Sequence, residues 1–140
     1  DYELNIRLRA AGGTIWFDPD LWVGYRPRGS VSALARQYYE YGLWKAEVAH
    51  RHPGSLKARQ LAPALFTIFV AMGAFGGARS RLWRAVAGAY VGALVAGSRG
   101  SPTTAAAHAT MHLSWGAGFW RGAVASATRR VACAPVEVAD

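Results

Sequence analysis

A chain of 140 residues that is 52% hydrophobic, with one cysteine and a formal net charge of +8, is too apolar for a disordered polyelectrolyte and has no internal disulfide framework. The positive balance suits nucleic acid or an anionic lipid surface. However, the basic residues cap apolar runs and do not gather on one polar face with interleaved aromatics, which argues against nucleic acid.

The acidic residues are unevenly placed. Asp1, Glu3, Asp18, Asp20, Glu40 and Glu47 lie in the first 47 residues, and no carboxylate follows until Glu137. The interval between holds Arg51, Lys57, Arg59, Arg79, Arg81, Arg84, Arg99, Arg121, Arg129 and Arg130 among Ala, Gly, Leu, Val and aromatic runs. That pattern matches a membrane-associated segment, in which arginines reach the headgroups and carboxylates gain nothing. The chain therefore divides into a region 1–54 resembling the edge of a soluble domain, a membrane region 55–128 of two to three helices, and a polar tail 129–140. It opens at Asp1 with neither an initiator methionine nor a signal-peptide pattern, as expected of a piece of a longer protein.

Residues 1–11 predict a helix. Leu4, Leu8 and Ala11 share one face, Asp1 and Glu3 stand at the dipole-favoured start, Arg7 and Arg9 lie toward the end, and Gly12-Gly13 forms the stop. Glu3 is four residues before Arg7, the spacing of a solvated ion pair. Thr14 to Phe17 and Leu21 to Tyr25 are β-branched and aromatic, and predict two short extended segments about the turn Asp18-Pro19-Asp20. Ser30 caps a helix running to about His50, with Val31, Leu34, Tyr38, Tyr41 and Lys45 along one side and Pro53-Gly54 ending it. Tyr38, Tyr39, Tyr41 and Trp44 suit either the headgroup level of a bilayer or a helix packed in a core.

Three uncharged blocks follow. Residues 60–78, with Leu61, Leu65, Phe66, Ile68, Phe69, Val70 and Phe75, total roughly −3 kcal/mol toward membrane insertion, before the cost of Pro63 and the glycines. This block is long enough to span. Residues 85–98 are short for a bilayer core about 30 Å thick. Residues 100–120 are rich in Ala, Thr, Gly and His and would need the close approach that small residues permit. His108 and His112 share a helical face without a third ligand, so helix packing explains them better than zinc. Cys133 stands in the tail as an inert thiol.

Asp1-Tyr2-Glu3-Leu4-Asn5-Ile6-Arg7-Leu8-Arg9, then Gly12-Gly13 and Ile15-Trp16-Phe17-Asp18-Pro19, resembles the stretch that follows the acidic motif of family-2 glycosyltransferases. Arg36-Gln37-Tyr38-Tyr39-Glu40-Tyr41-Gly42-Leu43-Trp44-Lys45 is similar to the Tyr-Gly-x-Trp helix of the bacterial exopolysaccharide branch, which includes enzymes of succinoglycan synthesis. His112-Leu113-Ser114-Trp115-Gly116-Ala117-Gly118-Phe119 resembles that branch's closing membrane helix.

The resemblance implies an α/β glycosyltransferase (GT-A) C-terminal remnant followed by a mainly α-helical membrane region. It further implies the C-terminal part of an inverting enzyme of the bacterial inner membrane, multi-pass, with a cytoplasmic active site. Such an enzyme transfers sugar from a nucleotide-sugar donor to a lipid-linked or polysaccharide acceptor, and the fragment alone is expected to be inactive. Asp1 is then the general base. Gln37 and Trp44 shape the acceptor and diphosphate side. Arg28, or Arg26, meets phosphate, although anchoring at a membrane surface fits these arginines as well. Glu40 departs from the family pattern, which places arginine near this point. A divalent cation, Mg or Mn, is implied, with ligands outside this chain, since Asp18-Pro19-Asp20 reads as a loop. From composition alone, a small integral membrane scaffold without catalysis is the alternative.

Overall fold

The computed structural model describes residues 2–26, 29–75 and 79–132. Five α-helices occur in order: α1 (Tyr2–Ala10), α2 (Val31–Arg51), α3 (Ala58–Ala74), α4 (Arg81–Gly97) and α5 (Pro102–Ala132), with one 3₁₀ turn at Pro53–Ser55.

The helix ends lie close to where turn chemistry sets them. Gly12 has a φ of +80°, the Gly12 amide donates to the Arg9 carbonyl at 3.1 Å and the Gly13 amide to Leu8 at 2.8 Å. This paired closure depends on a residue that tolerates the left-handed region. Ser30 caps α2 by accepting from the Ala33 amide at 3.2 Å. Ser80 accepts from Trp83 at 3.4 Å and Ser101 from Thr104 at 3.3 Å. Each hydroxyl satisfies an amide that has no partner inside its own helix.

Packing centres on α2 against α5, with α3 also laid on α5. The core is small: Ala46, Ala64 and Phe119, surrounded by Leu56, Trp115, Trp120 and Ala123. Glycines set the distance between α2 and α5. A Cβ on Gly118 would overlap the Tyr39 carbonyl oxygen, and one on Gly42 would overlap the carbonyl of Trp115. Ser126 Oγ donates to Glu47 Oε2 at 3.1 Å at the far end of this seam. On α3, the Ala64 carbonyl accepts from the Trp120 indole at 2.8 Å.

An aromatic ladder joins α3, α4 and α5. Trp83 stacks on Phe69 with centroids 5.7 Å apart and donates to the Phe69 carbonyl at 3.0 Å. Phe66 stacks on Tyr90 at 3.8 Å, and the Tyr90 hydroxyl meets His112 Nδ1 at 3.1 Å. Burial, then the nearby His108, pushes His112 below its ordinary value of 6.5. Folding thus favours the neutral ring. Its contribution is fully present above pH 6.5 and is lost as pH falls through the depressed folded-state value. The melting temperature, followed by circular dichroism, should therefore drop on acidification in that window, and His112→Gln should flatten the drop.

Three expectations are corrected. The α/β GT-A remnant is not what the chain forms: the described residues contain helices and no strand. Residues 14–17 and 21–25 carry no regular secondary structure, and Asp18 and Leu21 close a turn between them. They do not pair, because a two-stranded ribbon needs a third strand or a packing face to persist. Trp16 and Trp22, 85% and 91% exposed, have neither. The mainly α-helical membrane region is likewise overturned, and with it the multi-pass inner-membrane location: no helix among the described residues is long and apolar enough to cross a membrane. Helices α3 and α4 have 17 residues each, about 26 Å of rise. Helix α5 has the length, but its Ala, Thr, Ser, Gly and His content holds down its hydropathy. These three helices do follow the three uncharged blocks.

The buried faces also differ from the apolar stripes. Leu4 and Leu8 are exposed, whereas Glu3 and Ile6 are half-buried. On α2 the buried positions are Gly42, Lys45, Ala46 and Val48, while Val31 and Tyr41 are exposed.

Candidate functional site

Between α1, α2, α3 and α5, an open cleft of about 640 Å³ is lined by Tyr2, Glu3, Tyr41, Trp44, Lys45, Val48, Gln60 and Trp115. Aromatic rings from three helices converge there. Trp44 leaves 60% of its surface exposed, so its ring is available to a ligand face. Trp115, one helical turn before Phe119, stacks on that core residue at 5.3 Å and is held firmly.

The base of the cleft is polar and organised. Both the Tyr2 hydroxyl and the Lys45 ammonium donate to the Ser55 carbonyl at 2.9 Å, which occupies both of its lone pairs. Lys45 Nζ also lies 3.9 Å from the centre of the Tyr2 ring. These contacts dock α1 onto α2 and the Pro53–Ser55 turn. Glu3 pairs with Arg51 at 3.5 Å and approaches His52 at 3.8 Å, in place of the expected Arg7 partner. Arg51 in turn binds Glu47 at 3.0 Å. Gln60 lies in the wall at the start of α3, where its Oε1 accepts from the Lys57 amide at 3.0 Å.

Of the residues singled out from sequence, Trp44 is in the cleft. Gln37 is not, but its amide donates to the Tyr41 hydroxyl at 2.6 Å, and Tyr41 is. Gln37 also lines a second surface cavity of about 420 Å³ with Ser32, Ala33, Arg36 and Glu40. Asp1, Arg28 and Cys133 lie outside the described residues. Tyr2, Gln60 and Trp115 were not picked out from sequence, because nothing in their local pattern links them to Trp44. Lys45 gave a signal, being a charged residue in step with an apolar stripe.

No three His, Cys, Asp or Glu side chains cluster among the described residues in a way that could hold a metal ion. The side chains described here therefore do not fit the divalent cation that the resemblance implies. Asp18 and Asp20 form a local turn in which Asp18 Oδ1 accepts from the Asp20 amide at 3.0 Å. The arrangement of the cleft suits a flat, hydroxylated ligand: apolar faces for ring stacking beside fixed hydrogen-bonding groups.

No protein-family model and no solved structure matches the chain. It is 33% identical over 133 residues to the succinoglycan biosynthesis protein ExoA of Rhizobium meliloti (strain 1021), a match covering 86% of this chain. The chain spans 39% of that relative's length, so it is a distant relative of one part of a succinoglycan biosynthesis protein.

Proposed function

We propose that this chain is the acceptor-side part of an inverting glycosyltransferase of polysaccharide synthesis, and that the cleft holds a saccharide acceptor. One observation carries the reading: Trp44, in the segment resembling the glycosyltransferase Tyr-Gly-x-Trp helix, opens into a cleft with Tyr2, Tyr41 and Trp115. Similarity to a succinoglycan biosynthesis protein supports it.

In the proposed reaction an acceptor hydroxyl attacks the anomeric carbon of a nucleotide sugar. The new C–O bond forms as the bond to the nucleotide diphosphate breaks, and Asp1 takes the hydroxyl proton. Tyr2 and Glu3, which follow Asp1 in sequence, are cleft residues, which favours this role. Gln37 acts on the cleft by orienting Tyr41, and Arg28 is assigned to the diphosphate. Donor binding is left to the remainder of the longer protein.

The test is calorimetric titration of the full chain with a neutral trisaccharide such as cellotriose. Trp44→Ala should weaken binding by about tenfold or more, since a stacking face is lost while the exposed indole contributes little to folding. Unchanged affinity in that variant would remove the cleft from the acceptor pathway.

A further inference from the structure

We propose that the cleft selects saccharides carrying a negatively charged substituent, and that Lys45 is the group that reads the charge. The proposal rests on the cleft being a saccharide site and adds the class of saccharide.

Lys45 is 8% exposed, yet it lines the cleft. A buried ammonium normally has a carboxylate beside it, because desolvating a lone charge is costly. Among the described residues no carboxylate lies within 4 Å of Lys45 Nζ; the ion pairs there are those of Glu3 and Glu47 with Arg51 and His52. Its protein contacts are the Ser55 carbonyl and the face of the Tyr2 ring. An ammonium has three N–H donors, so one has no acceptor among the described residues. Glu3 shares the wall and would repel an anion, and Arg51, which also binds Glu47, offsets only part of its charge. Lys45 thus presents an ammonium with no carboxylate of its own and an unused donor, beside aromatic faces suited to pyranose rings. A sugar carrying an anionic oxygen satisfies both features at once, through a charge-assisted hydrogen bond in a partly desolvated setting.

A carboxylate on the sugar and a phosphate attached to it present the same anionic oxygen, and the experiment separates them. Calorimetry on the full chain would compare cellotriose, the same trisaccharide oxidised to a uronic acid at one C6, and its 1-phosphate. At least one charged form should bind about tenfold more tightly than the neutral one. A preference for the uronate assigns the charge to the glycan, and a preference for the phosphate alone assigns it to a phosphate linkage. Lys45→Met should abolish the preference, bringing the ratio of charged to neutral affinity to about one whatever it does to neutral binding. Lys45→Arg should retain the preference, and the wild-type comparison stands even if Lys45→Met fails to fold. Equal affinities, or a preference that survives a folded Lys45→Met, would overturn the role of Lys45 and leave the saccharide cleft intact. If none of the three sugars binds, the cleft assignment falls as well.

Discussion

Replacing Gly118 with alanine should lower the melting temperature of the chain by roughly 10 °C or more, a loss of about 3 kcal/mol. Alanine is the better helix former, so on propensity alone the change would stabilise α5. Packing decides the sign. The added methyl would overlap the Tyr39 carbonyl oxygen, which belongs to the backbone of α2 and cannot rotate away as a side-chain end can. Relief requires the two helices to separate, and that opens the contacts of Phe119 and Ala46 in a core that has little else. Gly88→Ala supplies the internal control. Its Cβ would meet nothing within 4 Å, so the same chemical change in α4 should leave stability unchanged or raise it by up to about 1 kcal/mol. Thermal melts of both variants check the pair, and equal effects would mean that the seam is not set by glycine.

If the chain acts as proposed, Asp1→Asn in a longer protein containing it should reduce sugar transfer about 10²-fold to 10⁴-fold, the range removed with a general base. Asparagine keeps the size and hydrogen-bonding reach of the side chain but cannot accept the acceptor's proton. The loss should therefore appear in kcat, with acceptor KM little changed. Trp44→Ala should show the opposite split, raising KM for acceptor, because it removes binding shared by ground and transition states. The two variants together separate chemistry from positioning. Wild-type turnover in Asp1→Asn would dismiss Asp1 as the base.

The punctuation of this fold was legible in the sequence. The Gly12-Gly13 stop, the Ser30 cap and the Pro53-Gly54 break mark element ends in the structure, because each acts through local backbone chemistry. The faces were harder to read. Stripe reasoning weights large apolar side chains and so favours Leu4, Leu8, Val31 and Tyr41, all exposed. The seam is built instead on Gly42, Gly118 and Gly122, where the absence of a side chain is what lets the helices meet. The β-branched and aromatic residues Ile15 to Phe17 and Leu21 to Tyr25 form no strand, since a strand also requires a partner. Uncharged blocks likewise marked helices without implying a bilayer, because alanine and glycine are neutral without being strongly apolar. In the cleft, Trp44 came from a resemblance within one helix. Tyr2 and Trp115 reach it from helices far apart in the chain, a convergence that no linear motif encodes.

The contact between Glu47 and Ser126 spans 79 residues, and this separation shapes how the molecule comes into being. At roughly 5–20 residues per second of synthesis, about 4–16 s pass between the emergence of one partner and the other. Throughout that interval the glycine-notched side of α2 has nothing to sit against, while α3 and α4 are close enough in sequence to associate on their own. A nascent chain halted before Pro102 would carry that uncovered groove indefinitely, which makes α5 the segment whose arrival turns a string of helices into a folded unit.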